Sequence, residues 1–236
     1  MINGTQDIET ITPAASLQGF LLGCAAIMVG TLLAAVALPN WLPGLSASLL
    51  GSSPKVFWFL SRASALVGFA LLWASMAMGL ILSNRMARLW PGGPTALGLH
   101  QYVSLLGLEF GLFHALILLG DRFIQASLAQ VLTPFAYQNY RPGWVGLGQI
   151  GLYLWALVFG SFYVRKRIGT KAWRWIHSLS FLSFVMVLAH GLFSGTDSGA
   201  VWVIGLYGFA GISCLFLLYY RILATVGGHK ARQTTR

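Results

Sequence analysis

Two stretches decide the fold, LGLHQYVSLLGLEFGLFHALILLG at residues 97–120 and WRWIHSLSFLSFVMVLAHGLFS at residues 173–194. Each is apolar and long enough to cross a hydrocarbon slab roughly 30 Å thick, for which about 20 helical residues suffice. Each also carries two histidines, His100 with His114 and His177 with His190. Imidazole is costly in a lipid-facing helix, so two matched pairs need something to bind. The separations correspond to about 21 Å and about 19.5 Å of helical rise. Two such helices side by side offer four imidazoles at two depths.

The rest of the chain fits a membrane setting. It is 57% hydrophobic and only 8% charged, where a soluble domain carries about a quarter charged residues. Nine Trp and eight Tyr suit the aromatic belts at the two interfaces. The net charge of +10 does not indicate nucleic acid, because the basic residues cluster between apolar runs, as orientation signals do. Cys24 and Cys214 form no CxxC or iron–sulfur spacing and read as small packing residues. The start of the chain, MINGTQDIET, has no Lys or Arg before its first apolar run and does not read as a cleaved signal peptide.

Uncharged windows predict an all-α polytopic membrane protein, a single domain over residues 1–236 with six transmembrane helices. The spans fall at about 16–38, 56–83, 97–120, 144–164, 173–194 and 200–222. Pro39 and the Pro43–Gly44 pair are expected to end the first. Eleven basic residues (Arg85, Arg88, Arg165, Lys166, Arg167, Lys171, Arg174, Arg221, Lys230, Arg232 and Arg236) fall on one side of this layout. Lys55, Arg122 and Arg141 fall on the other, and Arg62 lies inside the second span. The positive-inside rule then puts both termini in the cytoplasm. Residues 121–143 are too polar to cross; Ile124, Leu128, Val131, Leu132 and Phe135 recur at helical spacing. That segment reads equally as a helix flat on the outer surface or as an ordered loop.

The third and fifth spans run in the same direction, so their first histidines share one depth and their second histidines another. This predicts two haems between spans three and five, with His100 and His177 on the cytoplasmic-side iron and His114 and His190 on the outer one. Two imidazoles leave no open axial position, which favours electron transfer over oxygen binding. In the third span Gly107, Gly111 and His114 lie within about 60° of the His100 face. Those glycines read as clearance for a flat macrocycle, with GxxxG helix packing as the alternative. In the fifth span His190 is rotated about 140° from His177 on an ideal helix. Either that helix is distorted or the haems meet it from different sides. Phe184 lies near the His177 face and reads as a packing or bridging group. His229 reads as a solvated residue of the basic tail.

Arg62 needs an anion, for which a propionate of the outer haem is the expected partner and snorkelling the alternative. Three readings of Glu109 stand open: a pair with Arg62, a protonated carboxyl, or a proton or quinol site. Lys171 and Arg174 either neutralise inner propionates or act only as topology charges. Gly146-Leu-Gly148-Gln-Ile-Gly151 matches GxGxxG, but it lies in an apolar span with no preceding strand and reads as packing.

With these residues in place, the chain resembles the ferric reductase-like transmembrane family over roughly residues 56–222. That family includes metalloreductases, NADPH oxidases and the haem subunit of a periplasmic methionine sulfoxide reductase. The likeness is carried by the paired-histidine spans, by AWRWIHSLSFLSFVMVLAHGLFSGTDS at 172–198 and by FLSRASALVGFALLW at 59–73. It implies that the four histidines are b-haem ligands, that electrons pass from the cytoplasmic haem to the outer one, and that the protein sits in a bacterial cytoplasmic membrane. The larger members carry flavin and nicotinamide domains, and the sequence shows no FAD or NAD(P) site. The expected donor is therefore a separate cytoplasmic flavoprotein or a membrane quinol, with a redox partner at the outer face. The alternatives are a quinol-linked haem anchor for a separate soluble oxidoreductase and a histidine-dependent proton or metal transporter.

Overall fold

The computed structural model describes residues 11–41, 56–84, 86, 92–121 and 124–234, with backbone only at 38, 39 and 227–234. Arg85, Arg88, Lys55, Arg122 and Arg236 lie outside the described residues, as do the side chains of His229, Lys230 and Arg232. Among the described residues every regular element is helical: α1 (Leu17–Trp41), α2 (Val56–Ser83), α3 (Gly93–Ile117), α4 (Leu128–Leu132), α5 (Pro142–Ser194) and α6 (Val201–Thr234). A 3-10 turn, Leu118–Gly120, extends α3. All but α4 are long and apolar enough to cross a membrane.

The expected second span coincides with α2. The first overruns Pro39 by two residues, where the Asn40 side-chain amide donates to the Val36 carbonyl at 3.0 Å. Pro39 thus ends the helix slightly late. The sixth continues well past residue 222, because nothing in RILATV breaks a helix.

The fourth and fifth expected spans lie in one 53-residue element, α5. A straight helix of that length would extend about 80 Å. It is not straight. Gly169, at φ 81 and ψ 155, occupies a backbone region essentially reserved for glycine. The residues before and after it pack antiparallel. Ser183 donates to the Gly151 carbonyl at 2.8 Å, and the Tyr140 hydroxyl donates to Ser194 O at 2.9 Å. Trp144 stacks on Phe193 with centroids 4.2 Å apart, and Arg141 donates to the Phe193 carbonyl. α5 is therefore a helical hairpin with arms at 142–168 and 170–194. Pro142 at its first turn costs no hydrogen bond there.

Small residues set the other contacts, as expected where lipid offers no hydrophobic drive between helices. A Cβ at Gly68 would lie 3.4 Å from Phe110 and 3.5 Å from Gly111, so α2 and α3 approach closely. The two helices also share the Ser75–Ser104 hydroxyl bond at 2.6 Å. α6 covers α2 through Trp73 Nε1–H to Ser213 at 2.9 Å and an edge-on Phe69–Tyr207 contact at 4.6 Å. α1 lies against the first arm of α5 through Phe20, whose ring sits 4.9 Å from Phe159 and 5.5 Å from Tyr163. The core joins Phe69, Leu72, Met76, Leu108, Trp155, Phe184 and Tyr207. Leu33, Val36, Ile212 and Leu215 face outward, as lipid-contacting side chains do.

Among the described residues of the 121–143 segment, ahead of α5, the one helix is the five-residue α4. Ser127 and Gln130 close a capping box at its start, and Tyr137 donates to the Ile124 carbonyl at 3.1 Å. It is an ordered loop with one helical turn.

At Gly169 nothing lies within 4 Å of where a Cβ would stand, so Gly169→Ala tests the backbone alone. The alanine should destabilise the fold by about 1–3 kcal/mol. Gly160, mid-arm and equally open, should instead tolerate Ala or gain up to ~1 kcal/mol. Unfolding midpoints of the two variants in detergent, followed by circular dichroism, check the contrast.

Candidate functional site

The four membrane histidines meet in two pairs. His100 faces His177 with ring centroids 6.1 Å apart and planes at 70°, and His114 faces His190 at 6.1 Å and 64°. The pairing and the two levels are those expected from the sequence. α5 is regular between His177 and His190, so the 140° offset comes from rings reaching out on different flanks of an undistorted helix.

The backs of the rings are held by helix carbonyls. His100 Nδ1–H donates to Ser75 O at 2.9 Å, His114 Nδ1–H to Ser61 O at 2.8 Å and His190 Nδ1–H to Trp144 O at 2.9 Å. A carbonyl can only accept, so these bonds put the proton on Nδ1 and leave the Nε2 lone pair free. Ser61 and Ser75 are separated by the same 14 residues as His114 and His100. Antiparallel α2 thus presents one carbonyl to each histidine of α3. His177 is held differently: its ring lies on Trp173, with centroids 5.1 Å apart and planes at 32°.

This geometry suits a metal held between two imidazoles. A metal–nitrogen bond of about 2 Å, plus roughly 1 Å from nitrogen to ring centre, puts two opposed rings about 6 Å apart. Nδ1–H bonded to a carbonyl is also the usual support behind a metal-binding imidazole. Among the described residues no group of three or more His, Cys, Asp or Glu gathers to hold a metal ion.

Other expected site residues have different neighbours. Gly107 and Gly111 were read as macrocycle clearance. A Cβ at Gly107 would meet the Trp155 indole at 2.7 Å, and one at Gly111 would meet Leu152 at 3.0 Å. The glycines admit side chains of the first α5 arm, which is the packing alternative. The glycines that do lie against the histidines are Gly79, where a Cβ would stand 3.3 Å from the His100 ring, and Gly148, where one would stand 2.6 Å from the His190 ring. Gly146 abuts Phe135 and Gly151 abuts Val187, so the GxGxxG match is packing. Phe184 is buried and stacked on Phe69 at 6.0 Å.

Arg62 has a protein anion, Asp197, and lies over the Trp58 ring at 4.1 Å. Asp197 went unrecognised because it reads as an ordinary loop residue. Glu109 does not meet Arg62. It lines a cleft of about 390 Å³ between α1 and α3 with Ala26, Ile27, Gly30, Leu106 and Phe113. Arg165 is not a free cytoplasmic charge: it is buried, donates to Phe162 O and Ile11 O, and sits 3.9 Å over the Phe162 ring. Lys166, Arg167, Lys171 and Arg174 are exposed around Gly169. Cys24 and Cys214 are free thiols, the second buried in the core.

No protein-family model matches this chain, and it matches no curated protein and no solved structure.

Because a Cβ at Gly148 would strike the His190 ring, Gly148→Ala should cost about 1–3 kcal/mol through overpacking. It should also pull His190 off the Trp144 carbonyl. Gly143, with open space around it, should accept Ala within about 0.5 kcal/mol. Thermal unfolding, with the ¹⁵N signal of the His190 Nδ1–H as local probe, distinguishes the two.

Proposed function

We propose that this chain is a dihaem b-type transmembrane electron carrier of a bacterial cytoplasmic membrane. It passes electrons from a cytoplasmic-side donor through an inner and an outer haem to an acceptor at the outer face. The observation that carries this reading is the 6.1 Å opposition of imidazoles at two levels. A b-type haem with both axial positions filled supplies one-electron transfer without an open site. Two imidazoles are too few for a bare ion such as zinc, which takes four ligands. They suffice for a macrocycle that brings four nitrogens of its own.

On this reading the chain crosses the bilayer six times, with each arm of α5 a separate span. The Gly169 turn and both termini lie on the cytoplasmic side, where Lys166, Arg167, Lys171 and Arg174 obey the positive-inside rule. The resemblance of residues 56–222 to the ferric reductase-like family agrees with that layout. His100 and His177 hold the inner haem, and His114 and His190 the outer one. The carbonyls of Ser75, Ser61 and Trp144 fix three rings in the Nδ1–H tautomer and keep Nε2 available. Trp155, Phe184 and Phe69 fill the level between the pairs and exclude water there. Arg62, balanced by Asp197, sets the electrostatic field at the outer pair.

The donor is a separate flavoprotein or a membrane quinol. The Glu109 cleft favours the second: it is apolar, faces lipid and offers one carboxyl as a proton acceptor beside a histidine-bearing helix. In that form the chain is the quinol-linked haem anchor of a soluble oxidoreductase. Glu109→Gln should then slow haem reduction by a quinol while leaving reduction by dithionite unchanged. Equal rates in variant and parent would remove the quinol reading.

The primary test is stoichiometry. A pyridine haemochrome assay should return two b haems per chain. His114→Ala and His190→Ala should each remove mainly one haem, and His100→Ala and His177→Ala the other. One haem per chain, or none, defeats the dihaem reading, and none would reopen the transporter reading.

Arg62 gives a signed prediction. Arg62→Leu removes a positive charge and leaves Asp197 uncompensated, so the outer haem midpoint should fall, by roughly 59 mV for each tenfold loss in its reduction constant. Asp197→Asn should raise the same midpoint. Redox titration of both variants checks the pair of signs.

A further inference from the structure

Among the described residues two buried side-chain nitrogens make no hydrogen bond, Arg62 Nε and Trp173 Nε1. They fall one beside each histidine pair. Arg62 follows Ser61, whose carbonyl receives the His114 proton. Trp173 carries its ring against His177 at 5.1 Å, with Phe162 beyond it at 6.3 Å. A buried donor left without an acceptor is costly, and an indole N–H can only donate. The partly buried indole of Trp73 shows the ordinary outcome, a 2.9 Å bond to Ser213. The rings against Trp173 are those of His177 and Phe162, which offer no oxygen.

We propose that the Trp173 indole N–H is the protein's buried donor to a carboxylate of the inner ligand, a haem propionate, as Arg62 Nε–H is for the outer one. This rests on the dihaem reading. The acceptor is identified by its chemistry: an oxygen that arrives with whatever His100 and His177 hold, since Trp173 Nε1 has no hydrogen-bond partner among the described residues. A b-type haem carries carboxylates at the edge of a flat ring, and Trp173 flanks the axial imidazole laterally. Lys171 and Arg174, the cations expected from sequence to serve this site, are exposed, where water screens them. Trp173 is the donor on the dry side.

The test uses the full chain in nanodiscs with haem bound. Trp173→Phe keeps a ring against His177 and Phe162 and removes only the N–H. It should retain both haems yet reduce the reduction constant of one of them by about tenfold, a fall of ~59 mV for one electron. The cause is that the propionate charge loses the donor that offset it. The propionate bending band of that haem in resonance Raman should shift, and the other haem should change in neither respect. Two haems with unchanged midpoints and bands overturn the proposal and leave the dihaem reading standing. Fewer than two haems in the unaltered chain defeats that reading instead. If Trp173→Phe loses the inner haem, Trp173→His, which restores a ring N–H, should recover it. Loss in both variants makes Trp173 a packing residue and overturns the proposal.

Discussion

The structure depends on one recurring bond, an imidazole N–H given to the carbonyl of a neighbouring helix within an apolar layer. In lipid an unpaired polar group costs several kcal/mol, and three of the four paired histidines are turned toward a carbonyl that meets this cost. A helix carbonyl already engaged in its own ladder retains a second lone pair. Ser61, Ser75 and Trp144 offer that lone pair, and in doing so fix which nitrogen of each ring is left open. The arrangement of α2 against α3, and of one α5 arm against the other, follows from it. Each contact must be close enough for a ring on one helix to reach the backbone of the next. Gly79 and Gly148, standing against the His100 and His190 rings, are how that approach is made sterically possible.

Much of this was legible in the sequence because the signals were long or paired. Helix α2 begins and ends where its hydropathy window does. The matching of His100 to His177 and His114 to His190 followed from the direction of the spans alone. The α5 hairpin was also legible, as two windows separated by RKRIGTK. Its physical pivot was not, because Gly169 looks like any glycine until its φ is known. What failed to show were partners whose side chains carry no distinctive chemistry. Ser61 and Ser75 meet the imidazoles through main-chain carbonyls, which a sequence cannot mark, as well as through hydroxyls 2.9 Å from His114 Nδ1 and 3.5 Å from His100 Nδ1, although their 14-residue spacing repeats that of the histidines.

The charged residues were misread for a related reason. Sequence places a charge in a segment but not on a face or beside a particular neighbour. Arg165 counted among the cytoplasmic cations, yet it turns inward to Ile11 O and Phe162 O and ties the start of the described chain to α5. Arg62 was correctly seen to need an anion, and its protein partner is a loop aspartate that leaves the Arg62 Nε–H without a bond. Gly107 and Gly111 lie on the correct face but one layer away from the rings, where Trp155 and Leu152 enter. In each case the residue type predicted a need and tertiary packing chose what meets it.

The 13-residue spacing of α5 and the unequal anchoring of its two histidines are one fact. On a regular helix two rings about 140° apart cannot both be backed by the same neighbouring element. His190 points to the flank covered by the first arm of its own hairpin and is anchored there, on Trp144 O. His177 makes no hydrogen bond to a carbonyl among the described residues, and its support is Trp173, four residues earlier on the same helix. An i, i+4 contact of this kind keeps its register whatever the packing of other helices. The His100–His177 pair is therefore oriented by α5 alone on one side, while the His114–His190 pair depends on α2 and on both arms of α5. A disturbance at the Gly169 turn would loosen the antiparallel contact that carries Trp144 to His190, and would leave the Trp173–His177 stack intact.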